Sequence, residues 1–407
     1  MRQLTLFPKK KMQAQSFEQG RGTRALRSVG LFAGIGGIEL GLHQAGHSTE
    51  LICEIDDRAQ AVLSDRFPGI PLVSDIRELT SLPKADLVTA GFPCQDLSQA
   101  GRTAGIGGKQ SGLVGEVFRL LTQSSPRWLL LENVPFMLQL DQGNAMRFLT
   151  SELEELGFTW AYRIIDAQGF GLPQRRHRVL LVASRTEDPR KVLFVDDWGA
   201  PPAIDARQSP CSFYWTEGKK GLGWAIDAVP TLKGGSTIGI PSPPAIWMRH
   251  VDGSIVQPDI RDAERLQGFD ADWTLPSVQF KKTKKGVRWK LVGNAVSVPV
   301  FKWVGECLSN PRDYDDEEDI PLSKKAAWPR AAWGRKGETY SVDVSMWPLA
   351  HEYQHLSEFL RYPTTPLSER AAAGFLKRTR SSCLRFPDGF LEAVSNHIES
   401  RRGIGLG

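Results

Sequence analysis

The chain has 407 residues, 41% apolar and 24% charged, which predicts a globular protein with more than one folding unit. Against 46 Asp and Glu stand 51 Lys and Arg; the net charge of +5 permits a nucleic-acid partner without requiring one. Five scattered cysteines and the lack of long apolar runs predict free thiols in a reducing compartment, with no disulfide scaffold, metal cluster, signal peptide or membrane span.

Residues 1 to 27 carry seven Lys and Arg against the single acid Glu18, the composition of a flexible basic arm. It is either a solvated tail or one that neutralises phosphates. From Ser28 the texture changes. Val29 to Phe32 reads as a strand, followed by the turn Ala33-Gly34-Ile35-Gly36-Gly37 and a helix bearing Ile38, Leu42 and Ala45. Such glycines let backbone approach a ligand at a helix N-terminus, although a tight structural turn has the same composition. Leu51 to Cys53 is the next strand. Glu54 beyond it stands where a carboxylate accepts hydrogen bonds from ribose hydroxyls, a solvated acid being the alternative. Ile70 to Val73 is a third strand, and Asp75 after it suits an adenine amino group. Together these features describe a nucleoside ligand across a sheet edge, and the missing GKS/T phosphate loop argues against ATP.

Leu87 to Ala90 reads as a buried parallel strand running into Gly91-Phe92-Pro93-Cys94-Gln95. An open α/β sheet places its chemistry outside the carboxyl ends of its strands, and a thiol there can add to an electron-poor carbon. A small core cysteine is the plain alternative. Gln95 to Ser111, polar and glycine-rich, reads as a lid over bound substrate. Leu113 to Leu121 predicts a helix and Trp128 to Leu131 a buried strand ending in Glu132-Asn133-Val134. A helix over Leu149 to Leu156 and a strand over Trp160 to Asp166 follow. Gln174-Arg175-Arg176-His177-Arg178 leads into the strand Val179 to Ala183, with Arg176 and Arg178 on one face, suited to anions or base edges.

Residues 185 to 260 are rich in Pro, Gly and Trp and weakly periodic, and read as an irregular second domain of loops and short strands. After a short helix over 261 to 268, the stretch 281 to 290, KKTKKGVRWK, packs six basic residues into ten positions. A helix from Val300 to about Leu308 returns to the first domain, and the acidic run 313 to 319 marks a linker. Beyond it, Glu352 to Arg361, Leu367 to Arg378 and Gly389 to Ile398 predict a helical extension. That extension is either a cap on the large domain or an accessory DNA-binding surface using Lys377, Arg378, Arg380 and Arg385.

FAGIGG at 32 to 37, Glu54, Asp75, PCQ at 93 to 95, ENV at 132 to 134, QRRHR at 174 to 178, RDAERLQGF at 261 to 269 and GNAVSVP at 293 to 299 occur in that order. In this they resemble the signatures of the DNA cytosine-C5 methyltransferases, over roughly residues 28 to 309. The resemblance implies an α/β fold, with a Rossmann-like S-adenosylmethionine-dependent methyltransferase sheet at 28 to 184 and a return segment at 261 to 309. It also implies a smaller irregular target-recognition domain at 185 to 260, while the acidic linker at 310 to 320 and the helical C-terminal extension at 321 to 407 are read from composition and lie beyond the resemblance.

The implied activity is methyl transfer from S-adenosyl-L-methionine to C5 of a cytosine in a specific short double-stranded DNA sequence. It would proceed by base flipping and a covalent adduct between Cys94 and C6, in a bacterial restriction-modification system that protects host DNA. The cofactor contacts carried over are Phe32, Ala33, Gly34, Gly36, Gly37, Glu54, Ile55 (packing on the adenine), Asp75, Ile76, Asn294 and Val296. Catalysis falls to Cys94, Glu132, Arg176 and Arg178. Glu132 holds N3 and the amino group, Arg178 meets the base carbonyl oxygen, and Arg176 orders Glu132, the loop or a phosphate. Phe92, Pro93, Gln95 and Ser98 meet the substrate, Lys281, Lys282, Lys284 and Lys285 meet DNA, and no metal enters. The alternatives are a tRNA cytosine-C5 methyltransferase and a non-catalytic DNA-binding relative. The expected enzyme is a monomer on DNA, in the bacterial cytoplasm and associated with the nucleoid. Gln3-Leu4-Thr5-Leu6-Phe7 resembles the short peptide by which bacterial DNA-processing proteins dock on the sliding clamp; the alternative is that its apolar side chains fold back on the large domain.

Overall fold

A computed structural model describes residues 24–92, 112–201, 203–234, 241–279 and 286–404. Outside the described residues lie most of the basic arm with the clamp-like peptide, Pro93, Cys94, Gln95, Ser98 and the rest of the expected lid to Ser111, and Lys281, Lys282, Lys284 and Lys285.

The first strands are β1 (Arg27–Leu31), β2 (Ser48–Cys53), β3 (Leu72–Val73), β4 (Leu87–Ala90), β5 (Trp128–Asn133), β6 (Thr159–Asp166), β7 (Gln174–Arg175) and β8 (His177–Ser184). The second region holds β9 (Cys211–Phe213), β10 (Trp224–Ile226), β11 (Val229–Pro230), β12 (Ala245–Trp247) and β13 (Ile255–Gln257). The last stretch holds β14 (Ile320–Pro321), β15 (Ala331–Arg335), β16 (Glu338–Ser341) and β17 (Thr365–Pro366). Among the described residues, ten strands form one sheet in the order β14-β16-β15-β6-β8-β5-β4-β1-β2-β3. β3, β2, β1, β4 and β5 run parallel. β8 runs antiparallel to both β5 and β6.

Helices cover both faces, which is why β4 and the first four residues of β5 read as largely apolar, buried runs. The helices are α1 (Gly37–Gln44), α2 (Asp57–Arg66), α3 (Leu113–Thr122), α4 (Asn144–Glu155), α5 (Arg190–Leu193), α6 (Ile260–Arg265), α7 (Val287–Asn294) and α8 (Val298–Ser309). Val88, Ala90, Leu129 and Leu131 pack with Val117, Phe118, Met146 and Leu149 of α3 and α4. On the other face Leu87, Trp128 and Leu130 pack with Ile38 and Leu42 of α1 and with Phe301 and Val304 of α8. No helix among the described residues is long and apolar enough to cross a membrane.

The C-terminal stretch supplies the helices expected of it, α9 (Leu356–Phe359), α10 (Glu369–Arg380) and α11 (Phe390–Ile404), and adds strands the sequence did not announce. β15 pairs with β6, with Trp333 opposite Ala161, and β16 and β14 continue outward. The acidic run before it is pinned, Asp313 to Lys191 and Asp316 to Arg190, each at 2.6 Å. The irregular region forms a second sheet, β10-β9-β12-β13-β17, whose fifth strand also comes from the C-terminal stretch. Its core joins Phe213 and Trp247 to Phe375 of α10 and Phe390 of α11. Arg378 is correspondingly occupied: its guanidinium donates to the carbonyls of Glu217 (3.1 Å) and Trp215 (2.5 Å). In this region α10 therefore packs on the second sheet and spends one of the basic side chains considered for an accessory DNA surface.

Two measurements test this packing. Phe390 is fully buried, its ring centroid 4.9 Å from Phe213 and 5.0 Å from Trp224. Phe390→Ala is expected to cost about 3–5 kcal/mol in urea unfolding, and a loss below 1 kcal/mol would show that the C-terminal helices are dispensable to that core. Glu39 of α1 is buried beneath β1, and its carboxyl reaches no donor of another residue among the described residues. Burial pushes it from the ordinary 4.5 up to about 7, with the nearby Glu54 adding to the rise. The folded state then keeps a proton that the unfolded chain releases, so this contribution is complete below pH 4.5 and lost as pH rises through about 7. Glu39→Gln should remove a fall in stability of roughly 3 kcal/mol across that window, read as urea midpoints at pH 5 and pH 8. Equal pH dependence in both proteins would refute it.

Candidate active site

Because β1 to β5 run parallel, the residues that follow them all emerge at one edge of the sheet, where open α/β folds bind ligands. After β1 comes Phe32 with φ +56, an uncommon conformation for a bulky residue. Gly34 follows at φ +57, and a Cβ built there would meet nothing within 4 Å, so this loop leaves open space on the ligand side. Glu54, after β2, fixes the loop: one carboxylate oxygen accepts from Gly34 N–H (2.7 Å) and the other from Asp56 N–H (2.8 Å). Burial raises the Glu54 pKa. After β3, Asp75 accepts from the Arg77 N–H (3.0 Å) and takes its guanidinium side-on, which holds the Asp75 pKa down at about 2. Asp75 therefore stays an acceptor at neutral pH. Ile55 is 65% exposed, an apolar side chain left uncovered.

At the other side of the edge, β5 ends in Glu132 and Asn133. Antiparallel pairing sets Asn133 opposite Val179 and Glu132 opposite Leu180, so the start of β8 lies at the same edge. Arg178 there pairs with Glu132, Nε to Oε1 at 2.8 Å, and donates Nη1 to the carbonyl of His177 (2.7 Å). Both side chains are largely buried. Burial disfavours the Arg178 charge and Glu132 restores it. The Asn133 amide donates to the Phe92 carbonyl (3.0 Å), clamping the end of β4, two residues before Cys94.

These groups line one cavity of about 630 Å³. Of the expected residues it brings together Phe32, Gly34, Glu54, Ile55, Asp75, Ile76, Phe92, Glu132, Arg178 and Asn294. Ala33, Gly36, Gly37 and Val296 do not line it. The Ala33 methyl is buried in the core beside Ile35, Gly36 is the N-cap of α1, and Gly37 packs against Val296. Arg176, expected to order Glu132, the loop or a phosphate, is only 2% exposed and donates to the carbonyls of Leu232 and Ala295, with no hydrogen bond to Glu132. Sequence reasoning missed Asn133 and Gly293, which stood inside quoted motifs, and the run Thr231 to Gly234, which carried no signal. The cavity fits an adenosyl cofactor: an apolar side chain at Ile55, carboxylates at Glu54 and Asp75, and space above Gly34. Among the described residues no group of His, Cys, Asp and Glu is placed to hold a metal.

Comparison with known proteins agrees. The family model for C-5 cytosine-specific DNA methylase matches residues 26–208. The chain is 52% identical over 382 residues to the Type II methyltransferase M2.BsuMI of Bacillus subtilis (strain 168), covering 91% of this chain and 97% of that one. It is 37% identical over 174 residues to the Type II methyltransferase M.BanI of Aneurinibacillus aneurinilyticus, covering 41% and 40%. Among solved structures, the S. pombe Dnmt2 methyltransferase matches at TM-score 0.51 and 16% identity, over 70% of this chain and 97% of that one, a likeness of fold. With a relative of that identity spanning nearly its whole length, the chain belongs to the C-5 cytosine-specific DNA methylase family and is an S-adenosyl-L-methionine-dependent DNA (cytosine-5-)-methyltransferase.

Proposed function

We propose that Cys94, Glu132 and Arg178 carry the reaction on a cytosine extruded from a specific duplex sequence, as the modification half of a Type II restriction-modification system. The observation that carries this reading is the buried Glu132–Arg178 pair beside the end of β4. Cytosine C5 is inaccessible in the base stack, so the base must leave the duplex. Addition of the Cys94 thiolate to C6 turns the C5–C6 double bond into a single bond and leaves an enamine across C4 and C5, which makes C5 nucleophilic. Charge then develops at N3 and the carbonyl oxygen. Glu132 holds N3 and the exocyclic amine, and Arg178 holds Glu132 in place while one of its free guanidinium donors reaches the carbonyl oxygen. S-adenosyl-L-methionine, held by Gly34, Glu54, Ile55 and Asp75, supplies the methyl group. Loss of the C5 proton and release of Cys94 restore the ring.

Arg176 acts in this scheme as a support, since its guanidinium ties the Leu232 and Ala295 carbonyls together. Sequence choice is assigned to residues 185 to 260 and the two C-terminal helices that share their core. Phosphate contacts are assigned to Lys281, Lys282, Lys284 and Lys285. The enzyme is taken to act as a monomer on nucleoid DNA in the cytoplasm. Contact with a sliding clamp through Gln3 to Phe7 would be read directly, as binding of a peptide of residues 1 to 12 to purified clamp.

Labelled cofactor, offered with duplex DNA or with tRNA, is expected to label the duplex. The 52% identity to a Type II methyltransferase supports that outcome over tRNA. Cys94→Ala should abolish transfer, by at least 1000-fold, while leaving cofactor binding intact. Transfer surviving in that variant would overturn the mechanism, and labelling of tRNA alone would overturn the substrate. Bisulfite sequencing of DNA from a host expressing the enzyme supplies the target sequence.

A further inference from the structure

Lys233 lines the active-site cavity together with Glu132, Arg178 and Asn294, and the chemistry on the ring leaves it without a task. Its ammonium sits 4.1 Å from the ring centroid of Tyr214 and pairs with Glu217. The lysine side chain is 48% exposed and that of Glu217 30%. A pair so open to water is worth about 0–1 kcal/mol, so exchanging Glu217 for another anion costs little.

Everything around the ammonium is fixed. A Cβ on Gly293 of α7 would come within 2.1 Å of the Lys233 carbonyl carbon, so the two backbones lie in contact. The buried Tyr214 donates its hydroxyl to the Thr231 carbonyl (2.8 Å), tying the ring to the segment that carries the lysine. The second oxygen of Glu217 accepts from Gly223 N–H (2.7 Å). Behind this turn stands α10, with Arg378 holding the carbonyls of Trp215 and Glu217. Gly218, at φ +106, lets the turn lie against Thr379 and Phe375, where a Cβ would find Thr379 at 3.0 Å.

We propose that Lys233 binds the backbone phosphate of the extruded cytidine, and that Glu217 holds that phosphate's place on the ammonium in the free enzyme. A base drawn into the cavity brings its phosphate to the rim, and an ammonium with three donors suits a phosphate as a point charge. The ring face of Tyr214 attracts the cation without consuming it as a hydrogen-bond donor would be consumed by an oxygen. Arg378 is a positioning residue: it sets the turn that sets Glu217. This inference rests on the assignment of the cavity to the flipped base.

The test uses the full-length enzyme and a duplex oligonucleotide carrying the site found by bisulfite sequencing. Lys233→Gln should raise KM for the duplex about tenfold, leave kcat and cofactor affinity within about twofold, and reduce the salt slope of binding by about one. Glu217→Gln should tighten duplex binding about threefold, because the competing anion is gone. Arg378→Gln, checked by its melting temperature, loosens Glu217 and should therefore tighten duplex binding as Glu217→Gln does, adding little to it in the double variant of the two. An unchanged salt slope in Lys233→Gln would overturn the phosphate contact. Weakened binding in Glu217→Gln would overturn the placeholder, and weakened binding in Arg378→Gln, or fully additive gains in its double variant with Glu217→Gln, would overturn the role of Arg378. Absence of transfer to duplex by the unaltered enzyme would instead overturn the reading beneath all three.

Discussion

β8 enters the sheet running against β5 and β6, and its first residues therefore lie at the edge where β1 to β5 end. A parallel β8 of the same eight residues would carry Arg178 roughly 20 Å away, to the opposite edge. Glu132 would then face the cavity without a cation. In this direction Val179 to Ala183 are all buried in the core. One change of strand direction thus brings Arg178 to Glu132 at the end of β5, and Asn133, on the same strand end, ties that pair to β4.

Behind the pair, buried guanidinium groups join segments far apart in the chain. Arg176 links Leu232 of the second region to Ala295 after α7. Arg163, fully buried on β6, donates to the carbonyls of Ser345 (2.8 Å) and Leu193 (2.8 Å) and pairs with Asp197. Desolvating such charges is expensive; Arg163 is compensated by three carbonyls and the Asp197 carboxylate, whereas Arg176 has its two carbonyls and a buried Nε with no partner among the described residues. An apolar side chain of equal volume would leave those carbonyls unsatisfied, so the arginines specify which segments meet.

The strands that hold the site were legible because both of their faces are buried and their chemistry lies just past their ends. Leu87 to Ala90 is apolar but for the buried Thr89, Trp128 to Leu131 is apolar throughout, and Phe92 and Glu132 stand just past these runs. Arg176 and Arg178 misled because the alternation does not run through them. Arg176 falls at a break between β7, which pairs with β11, and β8, which belongs to the large sheet. β14 and β17 were invisible for another reason. Each is two residues long, and the partner that makes it a strand lies elsewhere in the sequence. The cavity wall from Thr231 to Gly234 has no periodicity either; it is placed by α7 and by the Gln174 side chain, whose carbonyl oxygen accepts from Leu232 N–H at 3.2 Å. Long-range partners of that kind leave no local trace.

The C-terminal stretch contributes β15 and β16 to the large sheet, then β17, α10 and α11 to the small one. The second sheet and its core, to which sequence choice is assigned, are consequently discontinuous, assembled from two stretches separated by the return to the large sheet. A graft that moved residues 185 to 260 alone into a related enzyme would cut through the cluster of Phe213, Phe375 and Phe390 and carry half a core. The transferable module is the pair of stretches, 185 to 260 with 365 to 404. Specificity can drift by substitution on its surface loops, but exchange of the whole module demands two simultaneous crossovers.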